Sequence, residues 1–184
     1  EATTNFEETD IVSTGATLIA FTSESSTVYK AVFLASEGGS SIQVNTNKFS
    51  DEAGNSNPSS VDFTWTYDGK APTVDIAVAN VSGAAIVSNT TTNDNSLIVT
   101  VTSSKATSTL TLEDVVVSGG ALSDFTATSS TIYTAKFIPN GDGIKTLRIK
   151  ANVFVDAYGN NNKPSEEFSL SLIHISEPTR QFRI

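Results

Sequence analysis

Cysteine and methionine are absent from this chain of 184 residues, and histidine and tryptophan occur once each, as His174 and Trp65. Because no disulfide can form, each domain must be stabilised by its own apolar core, which about 100 residues can supply. The chain also lacks any run of about 18 apolar residues, the length that indicates a membrane-spanning helix. The sequence therefore predicts no membrane insertion of this segment.

Positive charge is also scarce. The chain has 11 lysine and arginine residues against 20 aspartate and glutamate residues, which gives a net charge of −9. An acidic surface repels the phosphate groups of nucleic acids and anionic lipids, so neither is expected as a partner. The same surface is compatible with divalent cations such as calcium.

The most informative feature that is present is an internal repeat, in which residues 10–57 match residues 114–162. A period of about 100 residues corresponds to a whole domain and exceeds the repeat unit of a solenoid, so the sequence predicts domains in tandem. At a shift of 104, the residues of the first copy that match the second are Asp10, Gly15, Leu18, Phe21, Thr22, Thr27, Tyr29, Ala31 and Phe33. At a shift of 105, after a one-residue insertion, the matching residues are Phe49, Asp51, Gly54, Asn55, Asn57 and Phe63.

The first copy is shorter than the second. At a shift of 104, Glu1 falls on Lys105, so the first copy has no counterpart of residues 71–104. We interpret residues 1–68 as a repeat truncated at its N-terminus and residues 69–172 as a complete repeat. The missing start residue makes the chain a fragment by this interpretation, so the lack of a targeting segment carries no information. Because missing strands expose unpaired edges, we expect only the second copy to unfold cooperatively.

The C-terminus differs in character from the repeats. From Leu170 to Arg180 the sequence reads LSLIHISEPTR, which resembles the in-frame translation of a sequencing adapter. Foreign segments are set aside before fold and site are considered. We therefore interpret residues 173–184 as a non-native tail, and we expect no biological role for His174.

A second interpretation of the same region treats residues 169–175 as the last strand of the second copy. Leu170 and Leu172 then fall near the positions of Trp65 and Tyr67 in the first copy. The two interpretations are compatible, because adapter-encoded leucines can fill the inward positions that these aromatic residues fill.

Apolar residues recur at every second position, which is the period of strands with one face toward a core. About seven short strands in about 100 residues indicate an immunoglobulin-like β-sandwich, so the fold class is predicted as all-β. The strands predicted for the second copy are 73–79, 96–102, 114–117, 122–126, 131–137, 145–149 and 166–172. The aromatic residues expected in the core are Phe33, Phe63, Trp65, Tyr133 and Phe137.

A family resemblance is carried by the run SSKATSTLTLEDVVVSGGALSDFTATSSTIYTAKFIPNGDGIKTLRI, followed by FVDAYGNNN. These motifs resemble the bacterial Ig-like repeats of large secreted and cell-surface proteins of the adhesin type, over residues 1–169. The chain departs from the pattern at Lys105, where an acidic residue is usual, and at Tyr158, which stands where the first copy has Ala53. The resemblance implies an extracellular or cell-surface protein whose repeats have neighbouring repeats as partners.

The segment between the copies, residues 67–73, is short and contains Pro72, which restricts its own backbone and that of Ala71. We expect consecutive domains to be held nearly end to end as a semi-rigid rod. Asp68 allows two interpretations. It is either a turn residue before Gly69 or, as in related repeat adhesins, a carboxylate that helps to bridge two domains through calcium.

The turn Asp-x-x-Gly-Asn occurs twice, beginning at Asp51 and at Asp156. Aspartate, glycine and asparagine in this order form a self-sufficient turn. Carboxylate and amide oxygens also suit calcium, but calcium needs about six to eight ligands and this motif supplies about two or three. If calcium binds, we expect it at the junction of the copies. The candidate metal ligands are Asp68, Asp51, Asp10, Asp142 and Asp156.

The sequence offers little for catalysis, because it has no cysteine, no glycine-rich phosphate loop and no serine nucleophile elbow. Carboxylates recur at equivalent positions in both copies, whereas a catalytic site is normally built once. We therefore expect that this chain is not an enzyme. The leading hypothesis is a structural or adhesive stalk that spaces a distal functional domain. The alternative is a module that binds carbohydrate or protein and is attached to a secreted enzyme, with a glycan or a surface protein as its partner.

Overall fold

The computed structural model describes residues 1–173, and the predictions for His174 and the remaining tail lie outside the described residues. By its internal contacts the chain divides into two units, Glu1–Lys70 and a second that begins at Ala71. Both units consist of β-strands, with short 3₁₀ turns at Glu8–Asp10 and Leu112–Asp114. The predicted all-β class, with two tandem units built of β-sheets, is confirmed.

The first unit has five strands, β1 (Ile11–Thr14), β2 (Ala16–Ser23), β3 (Tyr29–Ala35), β4 (Gly38–Val44) and β5 (Phe63–Tyr67). They form two small antiparallel sheets, a three-stranded sheet in the order β1-β4-β5 and the hairpin β2-β3.

The strands of the second unit are β6 (Val74–Asn80), β7 (Ala85–Ile86), β8 (Thr90–Thr92), β9 (Leu97–Ser103), β10 (Val115–Ser118), β11 (Gly120–Ala127), β12 (Ile132–Pro139), β13 (Gly143–Ile149) and β14 (Phe168–Leu172). They form a five-stranded sheet in the order β11-β12-β9-β6-β7 and a four-stranded sheet in the order β10-β13-β14-β8. All seven strands predicted for this copy are present. The short strands β7 and β8 were missed, because two or three residues are too few to show a period.

The strand β9 shows how the sequence pattern becomes a core. Leu97, Val99 and Val101 are at most 1% exposed, whereas Ile98 on the opposite face is 38% exposed. Leucine and β-branched residues pack well on a pleated surface, so this alternation places one apolar face between the two sheets. The same alternation along β12 buries Tyr133 and Phe137, as predicted.

Equivalent glycines connect the two sheets in each unit. Gly15 lies between β1 and β2 with a φ of +68°, and Gly119 lies between β10 and β11 with a φ of +77°. A Cβ atom on Gly15 would overlap the carbonyl oxygen of Gly39, and one on Gly119 would lie 2.5 Å from Cδ of Lys145. Both the backbone conformation and the close contact therefore require glycine.

The two units share one topology, because β1 to β5 correspond in order and register to β10 to β14. In both units the first of these strands pairs with the fourth, the fourth with the fifth and the second with the third. Residues 1–70 contain no counterpart of β6, β7, β8 and β9. The sheet that has five strands in the second unit therefore has two in the first.

This difference in strand number decides which aromatic residues are buried. Phe168 and Leu170 on β14 are 7% and 1% exposed, whereas the equivalent Phe63 on β5 is 62% exposed and Trp65 is half-buried. The prediction that Phe63 is a core residue is wrong. Alternation identified the inward face of the strand correctly, but the strands that would cover that face are not present in the first unit.

Four aromatic rings form the remaining core of the first unit. The ring centroid of Phe6 lies 5.5 Å from that of Phe21, 5.0 Å from that of Tyr29 and 4.9 Å from that of Phe49. Rings in edge-to-face contact stabilise each other beyond the area they bury. The hydroxyl of Tyr29 also donates to the carbonyl oxygen of Thr3 at 2.7 Å.

We predict that Phe168→Ala lowers the free energy of unfolding of the second unit by about 3 to 5 kcal/mol, because it leaves a cavity in a closed core. The matched substitution Phe63→Ala should leave that transition unchanged and should cost the first unit less than about 1.5 kcal/mol, because Phe63 is already in water. Calorimetry of the whole chain measures both effects. Equal losses from the two substitutions would contradict the assignment of an open core to the first unit.

Candidate functional site

The repeated Asp-x-x-Gly-Asn turn has the same backbone in both units. In the second unit the N–H of Asp156 donates to the carbonyl of Asn160 at 3.1 Å, and the N–H of Gly159 donates back to the carbonyl of Asp156 at 3.1 Å. Gly159 has a φ of +84°, which favours glycine. In the first unit the equivalent bond from Asp51 to Asn55 measures 3.0 Å.

Asp156 as a residue is 6% exposed, and both oxygens of its carboxylate accept hydrogen bonds. Oδ1 accepts from the backbone N–H groups of Tyr158 and Asn160, both at 2.9 Å. Oδ2 accepts from the side-chain amide of Asn160 at 3.0 Å and from the ammonium of Lys105 at 3.1 Å. A carboxylate has about four lone-pair positions, so these donors fill its capacity to accept hydrogen bonds.

These contacts control the charge of Asp156. Burial alone would raise its pKa, but the hydrogen bonds from the side chain and backbone of Asn160 and from Lys105 outweigh burial and hold the pKa well below its usual range. Asp156 is therefore an anion at all physiological pH values, and the ammonium of Lys105 neutralises it locally. In this turn the ammonium of Lys105 therefore takes the place beside the carboxylate that a bound metal cation would take.

The turn of the first unit uses the same bonds without a lysine. Asn55 donates its backbone N–H to Oδ1 of Asp51 at 2.8 Å and its side-chain amide to Oδ2 at 2.9 Å. These two interactions, followed by a hydrogen bond with the Glu1 side chain, lower the pKa of Asp51 to about 2. Glu1 occupies the position that Lys105 occupies in the second copy.

A buried asparagine fixes the segment that leads into each turn. Oδ1 of Asn162 accepts from the N–H groups of Val153 and Phe154 at 2.8 and 3.0 Å. Its Nδ2 donates to the carbonyls of Lys150 and Lys163, both at 2.8 Å. The side chain thus makes all four hydrogen bonds available to an amide, and Asn162 is 2% exposed.

Asn57 repeats this arrangement in the first unit. Its Oδ1 accepts from the N–H groups of Lys48 and Phe49, and its Nδ2 donates to the carbonyls of Asn45 and Pro58. Sequence analysis identified both asparagines as matching positions but assigned them no role. Their recurrence three residues beyond the turn glycine was the signal that could have identified them.

Two other residues predicted as metal ligands accept hydrogen bonds from backbone N–H groups close by in the sequence. Oδ2 of Asp10 accepts from the N–H of Glu7 at 2.9 Å and caps the 3₁₀ turn. Oδ1 of Asp68 accepts from the N–H of Lys70 at 3.1 Å, which agrees with the interpretation of Asp68 as a turn residue.

Asp142 lies in the turn between β12 and β13, beside a buried lysine. The ammonium of Lys145 donates to the backbone carbonyls of Asn140 at 2.8 Å and of Asp142 at 3.2 Å, and Lys145 is 3% exposed. Among residues 1–173 no three His, Cys, Asp or Glu side chains are grouped as a metal site. The structure therefore does not bring the five predicted aspartates together, and calcium binding stays a prediction.

Comparison with protein families matches both copies to one family, described as the bacterial Ig-like domain, over residues 1–67 and 68–172. The chain belongs to the bacterial Ig-like domain family. The resemblance inferred from the repeated motifs is thereby confirmed, and the chain is a tandem structural or surface repeat. No curated protein and no solved structure matches the chain significantly. No helix within residues 1–173 has the length and apolar character to cross a membrane.

We predict that Asn162→Ala lowers the free energy of unfolding of the second Ig-like domain by about 3 kcal/mol or more. The substitution leaves four backbone groups without partners, and each unsatisfied buried group costs about 1 to 3 kcal/mol. Asn161→Ala is the matched control, because Asn161 is exposed, and it should change the free energy by less than about 0.5 kcal/mol. Chemical denaturation followed by circular dichroism compares the two. Similar losses would contradict the assigned role.

We predict that acid destabilises the second domain partly through Asp156. Its pKa is lower in the folded state than its ordinary value of 3.8, so its contribution to stability is complete above that value and is lost as the pH falls through the folded pKa. Asp156→Asn should lower the melting temperature near pH 7, and the difference from the native chain should shrink toward about pH 2. A difference that stays constant over this range would contradict the prediction.

Proposed function

We propose that this chain is part of an extracellular or cell-surface stalk, in which Ig-like repeats space a distal functional domain from the surface. The observation that carries the proposal is the use of the polar residues that the two copies share. Asp51, Asn57, Asp156 and Asn162 direct their hydrogen bonds to their own unit. Side chains committed in this way maintain a fold and have little capacity left for a substrate.

We propose further that the chain has no enzymatic activity. The carboxylates with lowered pKa values, Asp51 and Asp156, occupy equivalent turns in two consecutive units. A catalytic pair of carboxylates needs two groups whose environments push their pKa values apart, one of them upward. Here both pKa values move downward for the same structural reason.

The alternative function is the recognition of a glycan or a surface protein, as a module attached to a secreted enzyme. One feature favours it. Tyr158 is 62% exposed in the turn of the second unit, where the first unit has Ala53. An exposed aromatic ring at a loop tip is a common contact for a ligand, because it combines apolar area with a polar group.

A single-molecule pulling experiment combined with a glycan panel distinguishes the two functions. A stalk repeat should unfold in one force event that lengthens the chain by roughly 300 Å, the extended length of about 100 residues. It should show no saturable glycan binding. Saturable binding that Tyr158→Ala abolishes and Ala53→Ser preserves would contradict the stalk proposal in favour of recognition.

Calcium remains a proposed ligand of the acidic residues, in particular of Asp68. Binding to the folded state alone would stabilise it by about 2.7 kcal/mol at a hundredfold excess over the dissociation constant. We therefore predict a higher melting temperature in millimolar calcium, and a smaller rise in Asp68→Asn. Magnesium at equal concentration is the control for screening by salt. An equal rise in the variant would exclude Asp68 as a ligand.

A further inference from the structure

The turn between β12 and β13 contains Asn140 followed by Gly141, and no other asparagine of the chain precedes a glycine. Asparagine is chemically labile, because the backbone nitrogen of the next residue can attack the carbonyl carbon of its side chain. Glycine at the next position hinders that attack least, since it has no side chain. The pair is therefore the position of the sequence most open to this reaction.

The reacting groups of this pair are accessible in the structure. Asn140 and Gly141 are both exposed to water. Among residues 1–173, neither the side-chain amide of Asn140 nor the N–H of Gly141 has a hydrogen-bond partner. Gly141 has a φ of +59°, and a Cβ atom built on it would meet no atom within 4 Å. No contact of the fold thus protects either group.

A buried cation contacts the same peptide group. The N–H of Asn140 donates to the carbonyl of Gly119 at 2.9 Å, and its backbone carbonyl accepts from the ammonium of Lys145 at 2.8 Å. Lys145 is 3% exposed, and its ammonium is also held by the carbonyl of Asp142 at 3.2 Å. The backbone carbonyl of Asn140 is conjugated with the nitrogen of Gly141, so the ammonium acts on the group that would react.

The position of this ammonium matches the position where charge develops. When the nitrogen of Gly141 loses its proton to water, the negative charge spreads to the backbone carbonyl oxygen of Asn140. That oxygen already accepts from Lys145. A fixed donor aimed at developing charge stabilises the charged state more than the neutral one, and the reaction through that state becomes faster.

The first copy forms the equivalent corner without either residue. Ser36 stands at the position of Asn140 at a shift of 104, and Ser40 at the position of Lys145 at a shift of 105. The N–H of Ser36 and the hydroxyl of Ser40 both donate to the carbonyl of Gly15, at 2.8 and 2.7 Å. The fold therefore does not require the asparagine or the lysine at this corner.

We propose that Asn140 deamidates without an enzyme and that Lys145 accelerates the reaction. The deprotonated nitrogen of Gly141 forms a bond to Cγ of Asn140, the bond from Cγ to Nδ2 breaks, and Nδ2 takes protons from water and leaves as ammonia. Water then opens the succinimide ring, with its hydroxyl added to a ring carbonyl carbon and its proton to the ring nitrogen. In sum, asparagine and water give ammonia and either aspartate or isoaspartate.

Lys145 also favours one of the two products. In the ring the former backbone carbonyl of Asn140 still faces the ammonium, which makes its carbon the better target for water. Opening at that carbon gives isoaspartate, in which the chain runs through Cγ and the former backbone carbonyl becomes a free carboxylate. The hydrogen bond from Lys145 then becomes a charge-assisted ion pair.

The test follows residue 140 in the whole folded chain at neutral pH. Mass spectrometry of the peptide that contains residue 140 detects the exchange of amide for acid, and fragmentation separates isoaspartate from aspartate. Lys145→Ser, which copies Ser40, and Lys145→Met, which keeps a long side chain, both remove the ammonium. Each should slow the conversion by about tenfold or more. Asn140→Ser, which copies Ser36, should show no reaction at this position.

Controls separate the contact from the local sequence. In urea the ammonium of Lys145 has no fixed place, so the native chain and both lysine variants should react at equal rates. Circular dichroism identifies the variants that keep the strand content of the native chain. The native chain alone supplies a further comparison, because its share of isoaspartate should be higher when it is folded than in urea. Asn161 is also exposed but precedes Asn162, so it should react more slowly than Asn140.

Three results would overturn the proposal. One is a folded native chain in which residue 140 stays asparagine for as long as Asn161 does. Another is an equal rate of conversion in the native chain and in a folded variant without Lys145. The third is a share of isoaspartate that is the same in the folded and the unfolded native chain. None of these results bears on the stalk function, which the pulling experiment tests separately.

Discussion

The structure depends on one constraint, that an apolar sheet face leaves water only when a second sheet covers it. The second unit satisfies the constraint with β6 and β9, and Phe168, Leu170 and Leu172 of its last strand are at most 7% exposed. The first unit lacks those strands, and Phe63 at the position of Phe168 is 62% exposed. The same alternation of apolar residues thus gives a buried face or an exposed one, depending on whether strands of a second sheet cover it.

The polar turns do not depend on packing between the two sheets. Asn57 and Asn162 each make four hydrogen bonds to the backbone of their own unit, although only Asn162 lies in a complete sandwich. Hydrogen bonds between residues close in sequence are satisfied locally, whereas apolar packing needs residues far away in the chain. The turns of the first unit therefore keep the same hydrogen bonds as those of the second, although fewer strands cover its core.

The sequence predicted the class, the repeat and seven strands of the second unit, because alternation and repetition are visible in the residues alone. It failed at Phe63, because alternation identifies the inward face of a strand but not whether another strand covers it. It missed the role of Asn162, because its recurrence in both copies marks the position without showing which backbone groups the amide contacts. It suggested Asp156 as a ligand for calcium, whereas in the structure the ammonium of Lys105 donates a hydrogen bond to that carboxylate. This contact joins residues far apart in the sequence, so no local pattern could predict it.

Native-state hydrogen exchange of the whole chain tests the central claim most directly, that the two units share a fold and differ in their cover. Amides of β13 and β14 should exchange only through global unfolding of the second unit, whereas equivalent amides of β4 and β5 should exchange at least about 100-fold faster through local opening. The amides of Phe49 and Phe154, both bonded to an asparagine, should differ least. Equal protection of β4 and β13 would contradict the account, because an open core would then be as stable as a closed one.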